Sequence, residues 1–290
     1  ALTRSKTHHA KTVTYFHENQ LTYPWSPNDA DVSLKRDNHY QFINYKNALC
    51  SDGIAFNSSY HKKSFLQALP QFLQQFPDYK NLDTLKEIEA KTKVLYLGLE
   101  LKRFNEYKIN GTNNKAVLLW NHRWEYDKNP TDFFDALFWL NDQGVDFDLL
   151  LLGESFSKQP AVFERAKKRL STKIKQYGYA PSFKQYAQYL WQADILPVTA
   201  NQDFFGGSVV QAMYCNTYPI LPKRLAYPEH IPKQFQQYHY YSTEKQLHKL
   251  LGYCVKNVAE IRKTKVQKYV QHYDWAYMAP IYDKYLADFF

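Results

Sequence analysis

The chain reads as an α/β protein of two Rossmann-like domains, each with a parallel sheet covered on both faces. Three observations carry this reading. Short apolar segments alternate with helical segments of roughly 10 to 15 residues, the rhythm of βαβ units. The alternation starts twice, once at Thr12 and again at Ala116. The strand candidates are near-continuous apolar runs such as 148–153 (DLLLLG), as expected of strands buried on both sides. A length of 290 residues is also where one core begins to divide into two.

Residues 1–11 are polar and basic, with little to anchor them. Residues 12–16 (TVTYF) alternate as a strand does, and a helix is expected over 38–50. Residues 52–56 (DGIAF) form a short apolar strand. Asn57 and Ser58 then offer caps for a helix carrying Phe65, Leu66 and Leu69. A polar helix at 82–91 and a strand at 94–97 complete the first series. Residues 102–115 are polar, with the turn signal Asn110-Gly111 at their centre. The boundary is placed there, giving an N-terminal domain of 1–110 and a second domain of 111–273.

The second series opens with a strand at 116–120. Asn129-Pro130 followed by Asp132 supplies a helix cap, a proline in the first turn and an acid on the helix dipole. That helix carries Phe133, Phe134, Leu137, Phe138 and Leu140 and stops at Gly144. A strand at 147–152, a helix at 161–173, a strand at 174–177 and a helix at 182–192 follow. A strand at 194–198, a helix at 207–215 and a strand at 218–221 complete the series.

Composition narrows the function classes. The chain is 44% hydrophobic, ordinary for a folded globular protein. No apolar run reaches the roughly 18 residues of a membrane helix, so membrane insertion is not expected. The three cysteines, Cys50, Cys215 and Cys254, are odd in number and far apart. They make neither a disulfide framework nor a CxxC zinc site, and they point to a reducing, cytoplasmic compartment. A net charge of +9 with 17% aromatic residues is compatible with a polyanionic partner such as RNA; many soluble enzymes carry the same charge and bind none.

In open α/β sheets, ligands bind beyond the carboxyl ends of the strands. After the first strand come His17, Glu18, Asn19 and Gln20; His17 has the chemistry to exchange a proton or bind a sugar hydroxyl near neutral pH. After the strand at 116–120 come Asn121, Arg123 and Lys128, just ahead of a helix start. Two cations and free helix amides suit a diphosphate, although surface pairing with Glu125 and Asp127 explains the same charges. After the strand at 194–198 come Asp203, Phe204, Phe205, Gly206 and Gly207, then a helix with Gln211. Paired glycines admit an oxyanion to backbone amides, and Asp203 and Gln211 can pair with sugar hydroxyls; Asp203 is equally suited to capping the helix. Gly178 and Tyr179, after the strand at 174–177, could receive a nucleobase or simply form a turn. No GxGxxG or Walker motif is present.

Together, His17-Glu18-Asn19, Arg123-x4-Lys128 and Asp203-Phe-Phe-Gly with Gln211 resemble the retaining GT-B glycosyltransferases. More narrowly, YFHENQLTYP (15–24), WNHRWEYDKNP (120–130), FFG (204–206) with YC and YP up to Pro219, and RLAYPE (224–229) resemble the tRNA-queuosine α-mannosyltransferases and their bacterial relatives. The resemblance runs over nearly the whole chain from Thr12.

It implies two Rossmann-like domains, a GDP-mannose donor, no cofactor and no obligatory metal. The implied acceptor is the cyclopentenediol of queuosine in tRNA. It assigns Arg123 and Lys128 to the donor diphosphate. Asp203 and Gln211 stand at the two Glu positions of the wider family's E-x7-E pair, Asp203 on the sugar and Gln211 on the ribose. Tyr179 falls near the base and His17 near the sugar, with Glu18 and Asn19 on the acceptor side. Asn121 and the Phe204–Gly207 backbone fall in the donor site. A C-terminal helix at 274–290 is expected to pack back on the N-terminal domain. The family's further N-terminal segment, with a strand and glycine-rich turn ahead of YFHENQ, has no counterpart here, so the resemblance implies a truncated first domain. The leaving phosphate takes the acceptor proton in the mechanism it implies, and no base carboxylate is required. Another acceptor, such as a lipid, a glycan or a small molecule, or an inactive RNA-binding protein, is the alternative.

Overall fold

Two units emerge from the computed structural model, one of residues 1–98 with 276–290 and one of residues 99–275. The described residues are 9–25, 37–109, 111, 113–154 and 160–289. Residues 1–8 of the basic N-terminal stretch and Asn110 of the turn signal lie outside them.

The first unit is built on three parallel strands in the order β1 (Val13–Phe16), β2 (Gly53–Phe56) and β3 (Thr92–Val94). Val13 pairs with Gly53, and Ile54 with Thr92. β2 is central, and all four of its residues are buried. Helices α1 (Asp37–Cys50), α2 (Ser59–Gln74) and α3 (Thr84–Ala90) connect the strands. The Ser58 hydroxyl accepts from the His61 amide at 2.9 Å and so fixes the start of α2. Phe65, Leu69, Phe72 and Leu73 then face the sheet, where the Phe16 and Phe56 rings stack 5.2 Å apart. The other side of β2 meets the C-terminal helix Trp275–Ala287: Ala55 and Leu95 pack with its Tyr285, flanked by Val13, Tyr15, Tyr282 and Phe289. Gly53 permits this approach, since a Cβ there would lie 2.2 Å from the Phe289 ring.

The second unit holds six parallel strands in the order β6-β5-β4-β7-β8-β9. In chain order they are β4 (Ala116–Asn121), α4 (Pro130–Asp142), β5 (Phe147–Leu152), α5 (Ala161–Arg169), β6 (Ile174–Tyr177), α6 (Phe183–Gln192), β7 (Ile195–Pro197), α7 (Gly207–Tyr214), β8 (Tyr218–Pro222), β9 (Tyr240–Tyr241) and α8 (Glu244–Lys256). Two short helices follow, α9 (Val258–Ile261) and α10 (Gln267–Val270). β4 and β5 pair over six residues, from Ala116↔Phe147 to Asn121↔Leu152. From β4 the strand order grows one way to β6 and the other way from β7 to β9. The reversal opens a crevice between β4 and β7, the position where such sheets bind ligands.

The boundary differs from that expected at 110. Residues 102–107 form a 3-10 helix that belongs to the second unit. Phe104 is buried there with its ring 4.9 Å from Phe183, and its carbonyl accepts from the Trp191 indole at 2.8 Å. One buried phenylalanine anchors a segment that otherwise reads as polar linker. β3 ends at Val94 rather than Leu97, because β2 stops at Phe56, where the α2 cap begins. α5 ends at Arg169, four residues early, ahead of a Ser171-Thr172 turn.

Candidate active site

The site in the second unit is a cavity of about 660 Å³ at the carboxyl ends of β4, β5, β6 and β7. It is lined by Asn121, Arg123 and Lys128 after β4, Gly153 and Glu154 after β5, Tyr179 and Ser182 after β6, and Asp203, Gly207, Ser208 and Gln211 after β7. Seven of the sequence-derived donor residues, Asn121, Arg123, Lys128, Tyr179, Asp203, Gly207 and Gln211, therefore line one cavity.

Lys128 is the buried centre of this arrangement, its side chain 11% exposed. The ammonium donates to the Gln202 carbonyl at 2.8 Å and lies 3.1 Å from Asp127 Oδ2 and 3.6 Å from Asp203 Oδ1. Local structure enforces the position. Residues 126–128 form a tight 3-10 turn closed by Asn129 in the left-handed region, φ +50. Asn129 also caps α4 by accepting from the Asp132 amide. The loop after β7 grips this turn: Asn201 N–H donates to the Asp127 carbonyl at 2.8 Å, and the Thr199 hydroxyl donates to the Asn129 carbonyl at 2.9 Å. Arg224 pins the same loop by donating to the Thr199 and Ala200 carbonyls.

Arg123 is different. Its side chain is half exposed and lies 3.3 Å from Glu125. Exposed pairs of this kind contribute little. Both surface pairs foreseen as the alternative thus exist, but only that of Arg123 is at the surface.

Asp203 does not cap α7. The N-cap is Gly206, held at φ +84, with no side-chain hydrogen bond. Asp203 Oδ2 instead accepts from the fully buried Tyr227 hydroxyl at 2.8 Å. A Cβ at residue 206 would press on the Tyr227 ring at 3.2 Å, so glycine lets the ring and the carboxylate share the space. The first-turn amides of α7 have no intrahelical acceptor and carry the positive end of the helix dipole toward the cavity.

A second chain of hydrogen bonds holds the opposite wall. Asn121 Nδ2 donates to the Tyr186 hydroxyl and to the Ser208 carbonyl, both at 3.0 Å. The Tyr186 hydroxyl donates to Gln211 Oε1 at 2.7 Å. Burial holds the Tyr186 phenol protonated, well above the ordinary tyrosine range. Gln211 is thereby oriented with its carbonyl occupied and its NH2 group left as donor. His122, buried beside Lys128, is pushed down to about 4 by burial and then by the lysine charge, so it is neutral near pH 7. Its Nδ1 lies 3.3 Å from the Ser208 hydroxyl.

The other candidate residues are spread over both units. Phe204 and Phe205 are buried; the Phe205 ring packs on His230 and Tyr273. Their side chains fill the core beneath the loop, and neither they nor Gly206 lines the cavity. Tyr179 lines it and is 74% exposed. In the first unit, His17 and Glu18 are exposed at the end of β1. Asn19 is buried, and its side-chain carbonyl accepts from the Thr22 amide at 3.1 Å, so it closes the turn at 19–23. Sequence reasoning missed His122, Tyr186, Tyr227 and Ser208. Tyr227 lay within the quoted word RLAYPE; Tyr186 gave no signal beyond helical periodicity.

These features define a class: two parallel-sheet α/β units, the second with a cationic crevice at its carboxyl edge. Solved structures share the fold. HepE of Anabaena, in complex with UDP and glucose, matches with a TM-score of 0.65 at 17% identity, covering 95% of this chain and 71% of its own. Sucrose-phosphate synthase of Thermosynechococcus elongatus matches with 0.68 at 16% identity, covering 95% and 68%. The fold is GT-B. Residues 102–269, more than half of the chain, match the family described as glycosyl transferases group 1, and residues 1–99 match the one described as tRNA-queuosine alpha-mannosyltransferase N-terminal. The chain belongs to the group 1 glycosyl transferases. A tRNA-queuosine alpha-mannosyltransferase of Drosophila melanogaster is 35% identical over 253 residues, which are 84% of this chain and 64% of that relative.

Proposed function

We propose that the chain transfers a hexose, mannose from GDP-mannose, with retention onto the cyclopentenediol of queuosine in tRNA. The observation that carries the donor half is the convergence of Arg123, Lys128 and the α7 N-terminus on one cavity. The acceptor half is supported by the match of residues 1–99 and by the Drosophila relative.

The chemistry follows from charge. Breaking the bond between the anomeric carbon and the β-phosphate oxygen builds negative charge on the phosphate and oxocarbenium character on the sugar. Fixed cations and helix amides at the leaving oxygen need no reorganisation as that charge develops, which is the most effective form of electrostatic catalysis. Lys128 is paired with Asp127 and Asp203 in the resting site; Arg123 supplies further positive charge. Asp203, held by Tyr227, accepts from sugar hydroxyls, and the Gln211 amide donates to the ribose. The acceptor oxygen bonds to the anomeric carbon on the face the phosphate leaves, and its proton passes to that phosphate. The resemblance gives His17 to the sugar and Glu18 and Asn19 to the acceptor side. This route needs no metal and no cofactor; the charge on the leaving phosphate is met by side chains and amides.

The test of the donor site is Arg123→Ala. Titration with GDP should show affinity reduced by at least about tenfold, the loss of one charge-assisted bidentate contact. The melting temperature should be unchanged, because the Glu125 pair is exposed. Unaltered GDP affinity would overturn the diphosphate assignment.

A further inference from the structure

We propose that the outward face of α8 is an RNA-binding track running from the edge of the donor site along the flank of the second unit. The inference rests on the tRNA reading above and adds where the polyanion lies. Lys245, Lys249, Tyr253 and Lys256 recur at helical spacing and share one exposed face. The opposite face, with Leu247, Leu251, Cys254 and Val255, is buried toward α4 and the sheet.

The three lysines have no ion-pair partner among the described residues. Several other cations of the unit are balanced: Arg165 by Asp135, Arg169 by Asp142, Lys173 by Asp146, Lys175 by Asp148 and Arg262 by Asp194. A balanced cation gains little from a phosphate, because its own acid repels the newcomer. An unbalanced one gains the full release of condensed counterions. The acid on α8 itself, Glu244, lies 3.6 Å from His248, which stacks on Trp139 of α4.

Lysines alone would make a solvated helix. The second observation is aromatic. Tyr253 is 60% exposed and Tyr238 is 56% exposed. The Tyr218 hydroxyl donates to the Tyr238 carbonyl at 2.8 Å, and the Tyr218 ring stacks on His239 at 4.3 Å, so this end of the face is held firmly. Flat exposed rings beside unpaired cations are the combination that receives unstacked bases and their backbone.

The third observation is position. α8 begins three residues after the end of β9, at the carboxyl edge of the sheet, the edge on which the cavity lies beyond β4 to β7. Thirteen residues make a track of about 20 Å, several nucleotides long.

The experiment measures binding of queuosine-containing tRNA against salt. It compares the unaltered chain with a Lys245→Glu/Lys249→Glu/Lys256→Glu variant and with Tyr253→Ala, with GDP titrated into each to report the fold and the donor site. The triple variant should bind tRNA at least about tenfold more weakly, with a salt slope shallower by about 2. Tyr253→Ala should weaken binding severalfold with the slope preserved, and GDP affinity should not change. Equal tRNA affinity and slope in the triple variant would overturn the track and leave the transferase reading in place. An unaltered chain that neither binds tRNA nor transfers to it would overturn both. Lysine-dependent binding to phosphatidylserine vesicles, with tRNA binding untouched by charge reversal, would assign the face to a membrane and overturn the proposal.

Discussion

Lys128 and Arg123 are both cations of one motif, yet their surroundings give them different consequences on substitution. Lys128→Ala leaves Asp127 buried without its charge partner. Breaking a buried pair in this way typically costs about 3–5 kcal/mol, so this variant should lose both thermal stability and donor binding, where Arg123→Ala loses only the second. Calorimetry of the two variants in parallel checks the contrast. Tyr227→Phe removes the hydroxyl that holds Asp203 Oδ2. A hydrogen bond to a charged group contributes about 1.5–3 kcal/mol, so turnover should fall by one to two orders of magnitude with GDP affinity retained, since Asp203 is assigned to the sugar and not to the diphosphate. Equal losses in turnover and GDP affinity would place Asp203 elsewhere. Tyr227 carries no chemistry of its own, which is why a reading of chemically able residues passed over it.

The elements show where a sequence is informative. Gly153 ends β5 at φ +117, and a Cβ there would lie 2.0 Å from the His122 carbonyl oxygen. Gly153→Ala should therefore force the β4 and β5 ends apart and cost about 2 kcal/mol or more. A lowered melting temperature together with lost GDP binding would confirm that this turn shapes the cavity; an unchanged protein would deny it. The strands and helices of the second unit were legible because apolar runs, the Asn129-Pro130 cap and the Ser182 start are local signals. The residues that line the cavity were legible for a related reason: they follow strands of one parallel sheet, and the carboxyl edge gathers them. What local pattern could not show was tertiary. Phe104 draws a polar-looking segment into the second unit, and Phe204 and Phe205 turn inward although they flank the donor loop. Asn19 spends its carbonyl on a turn. Tyr186 and Asn121 meet only because β4 and α6 are brought together by the fold.

At the scale of the whole molecule, buried histidines link stability to pH. Burial pushes His122 and His239 down to about 4 and His61 down to about 3, from an ordinary value near 6.5. Between those values the unfolded chain binds protons that the folded chain refuses. The stability that these neutral rings contribute is therefore fully present above about pH 6.5 and is lost as pH falls toward 4. The melting temperature should be lower at pH 5 than at pH 7; a flat profile would mean that these rings are not neutral and buried. No helix among the described residues is long and apolar enough to cross a membrane, and the three cysteines are free thiols. The central claim concerns chemistry at this scale, where donor and acceptor must both be engaged. The most direct measurement is a transfer assay. Queuosine-containing tRNA is incubated with the chain and a panel of nucleotide sugars, then digested, and the nucleoside mass is read. The account predicts a hexose gain on queuosine with GDP-mannose, abolished by Lys128→Ala. No gain with any nucleotide sugar, from a chain that still binds both GDP and the tRNA, would contradict it.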